Sequence, residues 1–397
     1  MIPLIGILQV AFLITAEPDP IEILLQKEEG KENREEGTIR VLLDKAKKGK
    51  ILFSTGYINP LQVKGGIYFR FENEGLKLKT FSGKEIYFPE GKKIYTSSFY
   101  YRGRKYQGGI FLYPQNGEVL VINVIPIENY IEGVLPTEIS PSWPIEALKA
   151  QAVAARTYAF LKVLENREKP YHITSSPKHQ AYGGTTLVNY KVKKAVEETR
   201  GEILTYHGKP AKTFYHSCSG GKTANAYYVW GMKLPYLISV SSPCEGAPYN
   251  FWKLKIKGKE VARLVNGGER LKAFRILSRS PSGRAYRVKI ITDKGSTTLT
   301  GEKLRLLLGP NRLKSTLFKV RFDGENLYFV GKGWGHGVGL CQWGARNLAL
   351  RGWNYKKILY HYFPGTKISK LNYTVLKKEN LKAAMKYHRD EFIYRVR

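Results

Sequence analysis

The chain has 397 residues, 43% of them hydrophobic, enough for two or three domains' worth of core and too apolar for a disordered chain. Lysine and arginine outnumber aspartate and glutamate by 65 to 33, and a formal charge of +32 implies an anionic partner or surface: nucleic acid, phospholipid headgroups or an anionic cell wall. Three cysteines exclude a disulfide scaffold and allow at most one intramolecular bridge.

Residues 2–15 are apolar apart from Gln9 and Thr15, a run too short to span a bilayer comfortably. They read as the h-region of a secretory signal cleaved near Ala16, giving a leader of residues 1–16, although no lysine or arginine precedes the run. The alternative is an uncleaved N-terminal anchor. Either places the remainder outside the cytoplasm. Residues 17–37 hold eight acidic and three basic residues and read as an acidic linker, which leaves 62 basic and 25 acidic residues elsewhere. From residue 38 the pattern turns to short strands (IRVLL, ILFST, GIYFRF, GLKLKTF, KEIYF) rich in Val, Ile, Tyr and Phe and separated by Gly and Asn turns. GGIFLY and EVLVINVI flank Asn116-Gly117, a strong hairpin signal. An N-terminal β lobe over residues 38–125 is expected.

The organising stretch is LPTEISPSWPIEALKAQAVAARTYAF, residues 135–160. Its second half predicts a buried, Ala-rich central helix, with Pro144 at the first helical position and Ser142 as a candidate cap. Pro136, Pro141 and Pro144 predict a stiff turn that contains Glu138. Residues 169–184 read as a polar loop and residues 190–199 as a helix. EILTY and KTFYHS read as a hairpin about Gly208, and residues 227–240 as strand. Short helices are predicted over 257–265 and 301–308, a hairpin about Asp323-Gly324, and helices over 342–350 and 355–362 ended by Pro364-Gly365. Residues 371–397 read as a basic tail. The fold class expected is α+β: a β-rich mixed fold with a central Ala-rich helix and an N-terminal β lobe.

A carboxylic acid that protonates a leaving oxygen needs a raised pKa, which burial beside apolar walls supplies. Glu138, with Trp143, Pro141 and Pro144 nearby, is the candidate; the bland reading is a carboxylate tied to backbone N–H groups. Arg156 lies among alanines and reads as a clamp on an acidic substrate group or as half of a structural salt bridge. His336 sits in the glycine-rich GWGHGVG, where bare backbone permits close approach. It could stabilise developing charge or orient a sugar, and the glycines could equally make room for a bulge. Gln342 and Trp343 suit hydroxyl bonding and stacking on a sugar face, though Trp343 is as readily core. His179, Gln180 and Tyr182 form a second polar-aromatic lining. Ser217 and Ser219 lie at a Gly-rich turn without a G-x-S-x-G elbow, so a nucleophilic serine is disfavoured and Ser219 is kept as a binding candidate. His216, Cys218 and Cys244 lack a regular zinc spacing. A Cys218–Cys244 disulfide suits an exported chain better, and plain core cysteines are the third option. No metal or cofactor is assigned.

Four separated stretches carry a resemblance: PTEISPSWPIEALKAQAVAARTYA, HQAYGG, YHSCSGGKT and GWGHGVGLCQWGA. In this order they resemble the SpoIID/LytB family, named for stage II sporulation protein D, over residues 39–366. The resemblance implies a catalytic region at 126–370 and a lytic transglycosylase that cuts peptidoglycan glycan strands. Its motif glutamate, here Glu138, would protonate the glycosidic oxygen. It would then act as base toward the 6-hydroxyl of N-acetylmuramic acid, which closes to a 1,6-anhydro end. The family motif also carries an arginine at Arg156, while Cys341 stands where many members have serine. Glycan strands are the expected partner, with a cell-wall amidase as a second candidate, in the cell envelope and with no stable membrane span after signal cleavage. Two other classes remain: a non-catalytic peptidoglycan-binding or division scaffold, and a nucleic-acid binder. The export signal and the lack of any helix-turn-helix, zinc-finger or RRM signature argue against the last.

Overall fold

The computed structural model describes residues 37–371 and Tyr373, Lys178 excepted. The signal or anchor, nearly all of the acidic linker and most of the basic tail lie outside the described residues. Strand, at 40%, exceeds helix, at 24%, and the strands fall into several sheets, so the fold is the expected β-rich α+β type.

The strands of the first 126 residues divide between two sheets. One is mixed and five-stranded. Its centre is Glu118–Pro126, buried along most of its length as the run VLVINVI demands, and paired antiparallel to Thr38–Ala46 and to Gly109–Gln115. The second pairing turns at Asn116 and Gly117, both at positive φ, as the hairpin signal requires. Lys92–Ile94 and Ile173–Thr174 form its edges. The other sheet has six strands, ordered Glu85–Phe88, Gly75–Thr80, Leu61–Glu72, Lys48–Ile58, Ser98–Tyr101, Arg104–Gln107. Period-two alternation puts Ile51, Phe53, Ile67, Phe69, Leu76 and Leu78 inside and leaves Lys48, Lys50, Tyr68, Arg70 and Lys79 in solvent.

Helix α1, Ile127–Glu138, follows directly; the carbonyl of Gly37 accepts its first N–H at 3.0 Å. Helix α2, Ile145–Glu165, is the predicted Ala-rich helix. Its composition has a physical reason, because it is buried on two sides. Leu148, Ala152, Ala155 and Ala159 belong to the core shared with the N-terminal strands and α1, whereas Ala150, Val153 and Ala154 face a second core. Two details differ from the sequence reading. Pro144 is the capping residue rather than the first helical one, and Ser142 does not cap; its hydroxyl pairs with Ser140 at 2.8 Å. Glu138 is not in a proline turn either. It ends α1, with Pro136 inside that helix.

Helix α3 (Tyr190–Glu198) packs Val192, Ala195 and Val196 into the first core, while around the second lie the five-residue α4 (Ala226–Trp230), α7 (Gln342–Leu350) and α8 (Tyr355–Tyr362). Residues 227–240, read as strand, begin as the last four residues of α4 and continue as irregular chain, because Tyr236 and Leu237 are buried without a sheet partner. The hairpin about Gly208 is the short pair Glu202–Tyr206 and Lys209–Pro210. Tyr215–His216 instead pairs in parallel with Leu340–Cys341. The third core lies within residues 252–331. A sheet of Trp252–Lys257, Asn326–Gly331 and Phe318–Phe322, helices α5 (Gly258–Asn266) and α6 (Gly301–Leu308), and a meander of Leu271–Arg279, Ala285–Thr292 and Gly295–Thr300 enclose Val261, Val288, Leu304 and Phe329. Trp252 and Gly331 are cross-strand partners where the chain enters and leaves this unit. Among the described residues, no helix is long and apolar enough to cross a membrane.

Candidate active site

Glu138 ends its helix half-buried, and burial pushes its carboxyl above the usual glutamate range. Three groups oppose the rise: the Ala181 N–H, donated to Oε1 at 2.7 Å, the Gln342 amide and the Tyr215 hydroxyl. One backbone N–H therefore fixes the side chain without neutralising the effect of burial. Thr137 completes the link by donating to the Ala181 carbonyl at 2.6 Å, so both backbone polar groups of Ala181 hold the end of α1.

Three separated segments meet here because of the parallel pair Tyr215–His216 and Leu340–Cys341. Tyr215 points its hydroxyl inward, buried and near enough to Glu138 and Gln180 to interact with both though without a well-aligned hydrogen bond to either, and the Glu138 charge is the largest cause after burial that raises its pKa. Gln342 begins α7 immediately after the second strand. Trp143 and Trp343, both partly exposed, meet edge to face with centroids 5.1 Å apart, and the guanidinium carbon of Arg346 lies 5.1 Å from the Trp343 ring centre. An acid with a raised pKa, an amide and an aromatic pair are a set that can hold a sugar ring and protonate an oxygen.

The other residues singled out in the sequence are committed to the fold, Gln180 and His336 next to Tyr215. Arg156 is fully buried and gripped by Glu128: Nε to Oε1 at 2.8 Å and Nη2 to Oε2 at 2.6 Å. It also donates to the carbonyls of Glu202 and Val196. Glu128 accepts further bonds from Gly201 N–H and from the Tyr373 hydroxyl at 2.6 Å. Burial alone would raise Glu128, but Arg156 and the Tyr373 hydroxyl hold it below the usual range. Arg156 thus meets the structural half of its sequence reading, a salt bridge inside the fold. Tyr182 is core: its ring packs on Tyr106 and Tyr130 and its hydroxyl donates to Asn123 at 2.9 Å. Gln180 is also buried, accepting from Tyr130 at 3.0 Å and donating to the Ala155 carbonyl. His179 pairs through Nδ1 with the Thr174 hydroxyl at 2.8 Å.

His336 acts as a clasp. Its Nδ1 accepts the Val338 N–H at 3.0 Å, which leaves the Nε2 proton for the Tyr215 carbonyl at 3.1 Å. Burial, with His216 beside it, keeps the ring neutral. His216 is likewise held neutral by burial, its pKa drawn down to about 3. Ser219 is buried and faces sulfur: its hydroxyl lies 3.1 Å from Cys244 Sγ. All three cysteines are free and buried; Cys244 Sγ lies 3.5 Å from Cys341 Sγ, and the Cys218 thiol is turned toward it as well. Among the described residues, no group of three or more His, Cys, Asp or Glu side chains is placed to hold a metal ion. Sequence reasoning gave Tyr215 no role. Its only signal was membership of YHSCSGGKT, because a strand pairing across more than a hundred residues leaves no local trace.

Comparison with known proteins bears on the same residues. A family model described as stage II sporulation protein matches residues 115–206, and one for a domain of unknown function (DUF8618) matches residues 229–339. An uncharacterized protein of Brachyspira hyodysenteriae is 37% identical over 287 residues, 71% of this chain and 76% of that protein. The amidase enhancer of Bacillus subtilis is 30% identical over 289 residues, 60% of this chain but only 40% of the relative's length. Stage II sporulation protein D of Bacillus subtilis is 32% identical over 266 residues, 62% of this chain and 75% of that protein. With the two helices that frame Glu138 inside the matched segment and three quarters of that sporulation protein covered, the chain belongs to the family of stage II sporulation protein D.

Proposed function

We propose that the chain is an exported lytic transglycosylase that cleaves peptidoglycan glycan strands during remodelling of the cell wall. The observation that carries this reading is Glu138: a half-buried carboxyl of raised pKa, held by one N–H, with the Gln342 amide and Tyr215 hydroxyl at hand, while Trp143, five residues on, and Trp343, next to Gln342, form a partly exposed pair. Protonated, it gives its proton to the glycosidic oxygen. Ionised by that step, it takes a proton from the 6-hydroxyl of the muramic acid ring, which closes on the anomeric carbon as a 1,6-anhydro sugar. This route needs one carboxyl in two states, unlike hydrolysis by a carboxylate pair. Glu128, the carboxylate ten positions earlier on the helix, is occupied by Arg156 and stays ionised. Gln342 and Tyr215 would orient Glu138 and a sugar hydroxyl, and Trp143 and Trp343 would stack on a ring. The groups around Glu138 all come from residues 126–370, in keeping with a catalytic region there and a basic N-terminal lobe beside it. Family membership and the names of the sporulation and amidase-enhancer relatives support a wall-related setting, and the latter name is the ground for an amidase as partner.

Digestion of purified sacculi tests the reading. Wild type is expected to release muropeptides with anhydro ends by mass, and Glu138→Gln to lose at least the roughly 10²–10⁴-fold contribution of an acid–base catalyst. Sedimentation of wild type with sacculi, without soluble product, would replace the enzyme by a wall-binding scaffold.

A further inference from the structure

Three thiols far apart in sequence meet beneath the site. Cys218, Cys244 and Cys341 are 1%, 3% and 0% exposed. Cys244 is the hub: its sulfur lies 3.5 Å from Cys341 Sγ and 3.1 Å from the Ser219 hydroxyl, with the Cys218 thiol also turned toward it. Cys341 caps α7, its sulfur accepting N–H groups from Gly344 at 3.3 Å and from Ser219 at 3.2 Å. The backbone around Cys244 is already fastened to the same helix. The Asn347 amide donates to the carbonyls of Pro243 at 3.2 Å and Glu245 at 2.9 Å, the residues on either side of Cys244. The two sulfurs thus face each other across a segment and a helix that are clamped together independently of them.

We propose that Cys244 and Cys341 form a disulfide in the exported protein and that Cys218 remains the free thiol. This rests on the export reading, because a reducing cytoplasm would keep all three reduced. Sulfurs at 3.5 Å need only close to about 2.05 Å, a shift that side-chain rotation can supply between clamped backbones. The oxidant is a dithiol–disulfide reagent, met before the cluster is buried. The Cys244 thiolate attacks one sulfur of R–S–S–R and expels RS⁻. The Cys341 thiolate then attacks Cys244 sulfur in the mixed disulfide and expels the second RS⁻. The two cysteine protons end on the two released thiols. The bridge joins residues 97 apart and encloses the whole third core, whereas a Cys218–Cys244 bond would close a much shorter loop and leave α7 untied. Because Gln342 follows Cys341 directly, the bridge would anchor the start of the helix that faces Glu138.

The test uses the full chain, reduced, unfolded in urea and refolded in a mixture of oxidised and reduced glutathione. Free thiols are then alkylated in denaturant and the peptides mapped by mass. The expected result is one linked peptide pair containing Cys244 and Cys341, with Cys218 alkylated, in wild type and in Cys218→Ser alike. Cys244→Ser and Cys341→Ser should each abolish that pair. The readout is mass, so it stands whether or not sacculi are cut. Three alkylated cysteines, a dominant link to Cys218, or one equivalent of zinc bound by the refolded chain would each overturn the assignment. Wild-type mapping decides the matter even if a serine variant fails to fold.

Discussion

Replacing Arg156 by alanine separates a structural arginine from a substrate clamp. Both members of the Glu128–Arg156 pair are buried, at 1% and 0% exposure, and the contact is bidentate. Removing the cation strands a carboxylate where water cannot reach it, a loss of about 3–5 kcal/mol for a buried pair broken on one side. With a urea dependence of about 3 kcal/mol per molar, the unfolding midpoint should fall by about 1–1.7 M. The pH course carries the sign. In wild type Glu128 is held below its unfolded pKa of about 4.3, so its contribution is present above that value and disappears as pH falls through the lowered native pKa. Without Arg156, burial alone raises Glu128 and the contribution reverses, so the gap between the proteins should widen from pH 4 to pH 7. Replacing both residues by neutral ones, Glu128→Gln with Arg156→Met, should recover most of the loss. The assay is urea unfolding followed by fluorescence, with sacculus digestion on the same samples. An unchanged midpoint together with weaker substrate saturation would refute the structural role.

Other outcomes follow from the same geometry. Since burial raises Glu138, wild type binds more protons than its unfolded chain above pH about 4.3, and stability drains away as pH climbs to the native pKa; Glu138→Gln should therefore be the more stable protein at pH 7 and equal to wild type below pH 4 in thermal melts. Gly133→Ala places a methyl 2.5 Å from the Tyr182 ring and 2.8 Å from the Gly184 carbonyl, so a loss of about 1–3 kcal/mol is expected in urea titrations. Trp343→Ala should keep the fold, by circular dichroism, and lower kcat/KM on glycan strands roughly two- to tenfold, the range of one aromatic contact. Unchanged kinetics would remove the aromatic pair from the substrate path.

What could be read without coordinates was whatever the chain decides locally. The helices at 258–266, 301–308, 342–350 and 355–362 carry their own starts and stops, with Thr300 and Asn354 accepting N–H groups of Lys303 and Lys357. The turns at Asn116-Gly117 and Asp323-Gly324 are equally self-contained. Errors came where distant packing overrides local preference. Pro136 suggested a break, yet α1 runs through it because its buried side, Ile131, Val134 and Leu135, is locked in the main core. Tyr236 and Leu237 looked like strand because they are apolar, but they fill the second core from a loop. At the site, Glu138, Gln342 and Trp343 were visible as residue types, while the partner of Arg156 lay 28 residues away on another helix and could not be seen. Tyr215 needed a strand pairing that spans the third core.

That third core has a narrow neck, with Trp252 and Gly331 side by side as the chain enters and departs. The unit is tied down a second time away from that neck, where the buried Arg284 donates to the carbonyls of Ser219 at 2.6 Å and Lys222 at 2.7 Å. Two attachments fix its orientation, so a change of cassette that kept the neck but lost the arginine would loosen the turn that carries Ser217 and Ser219.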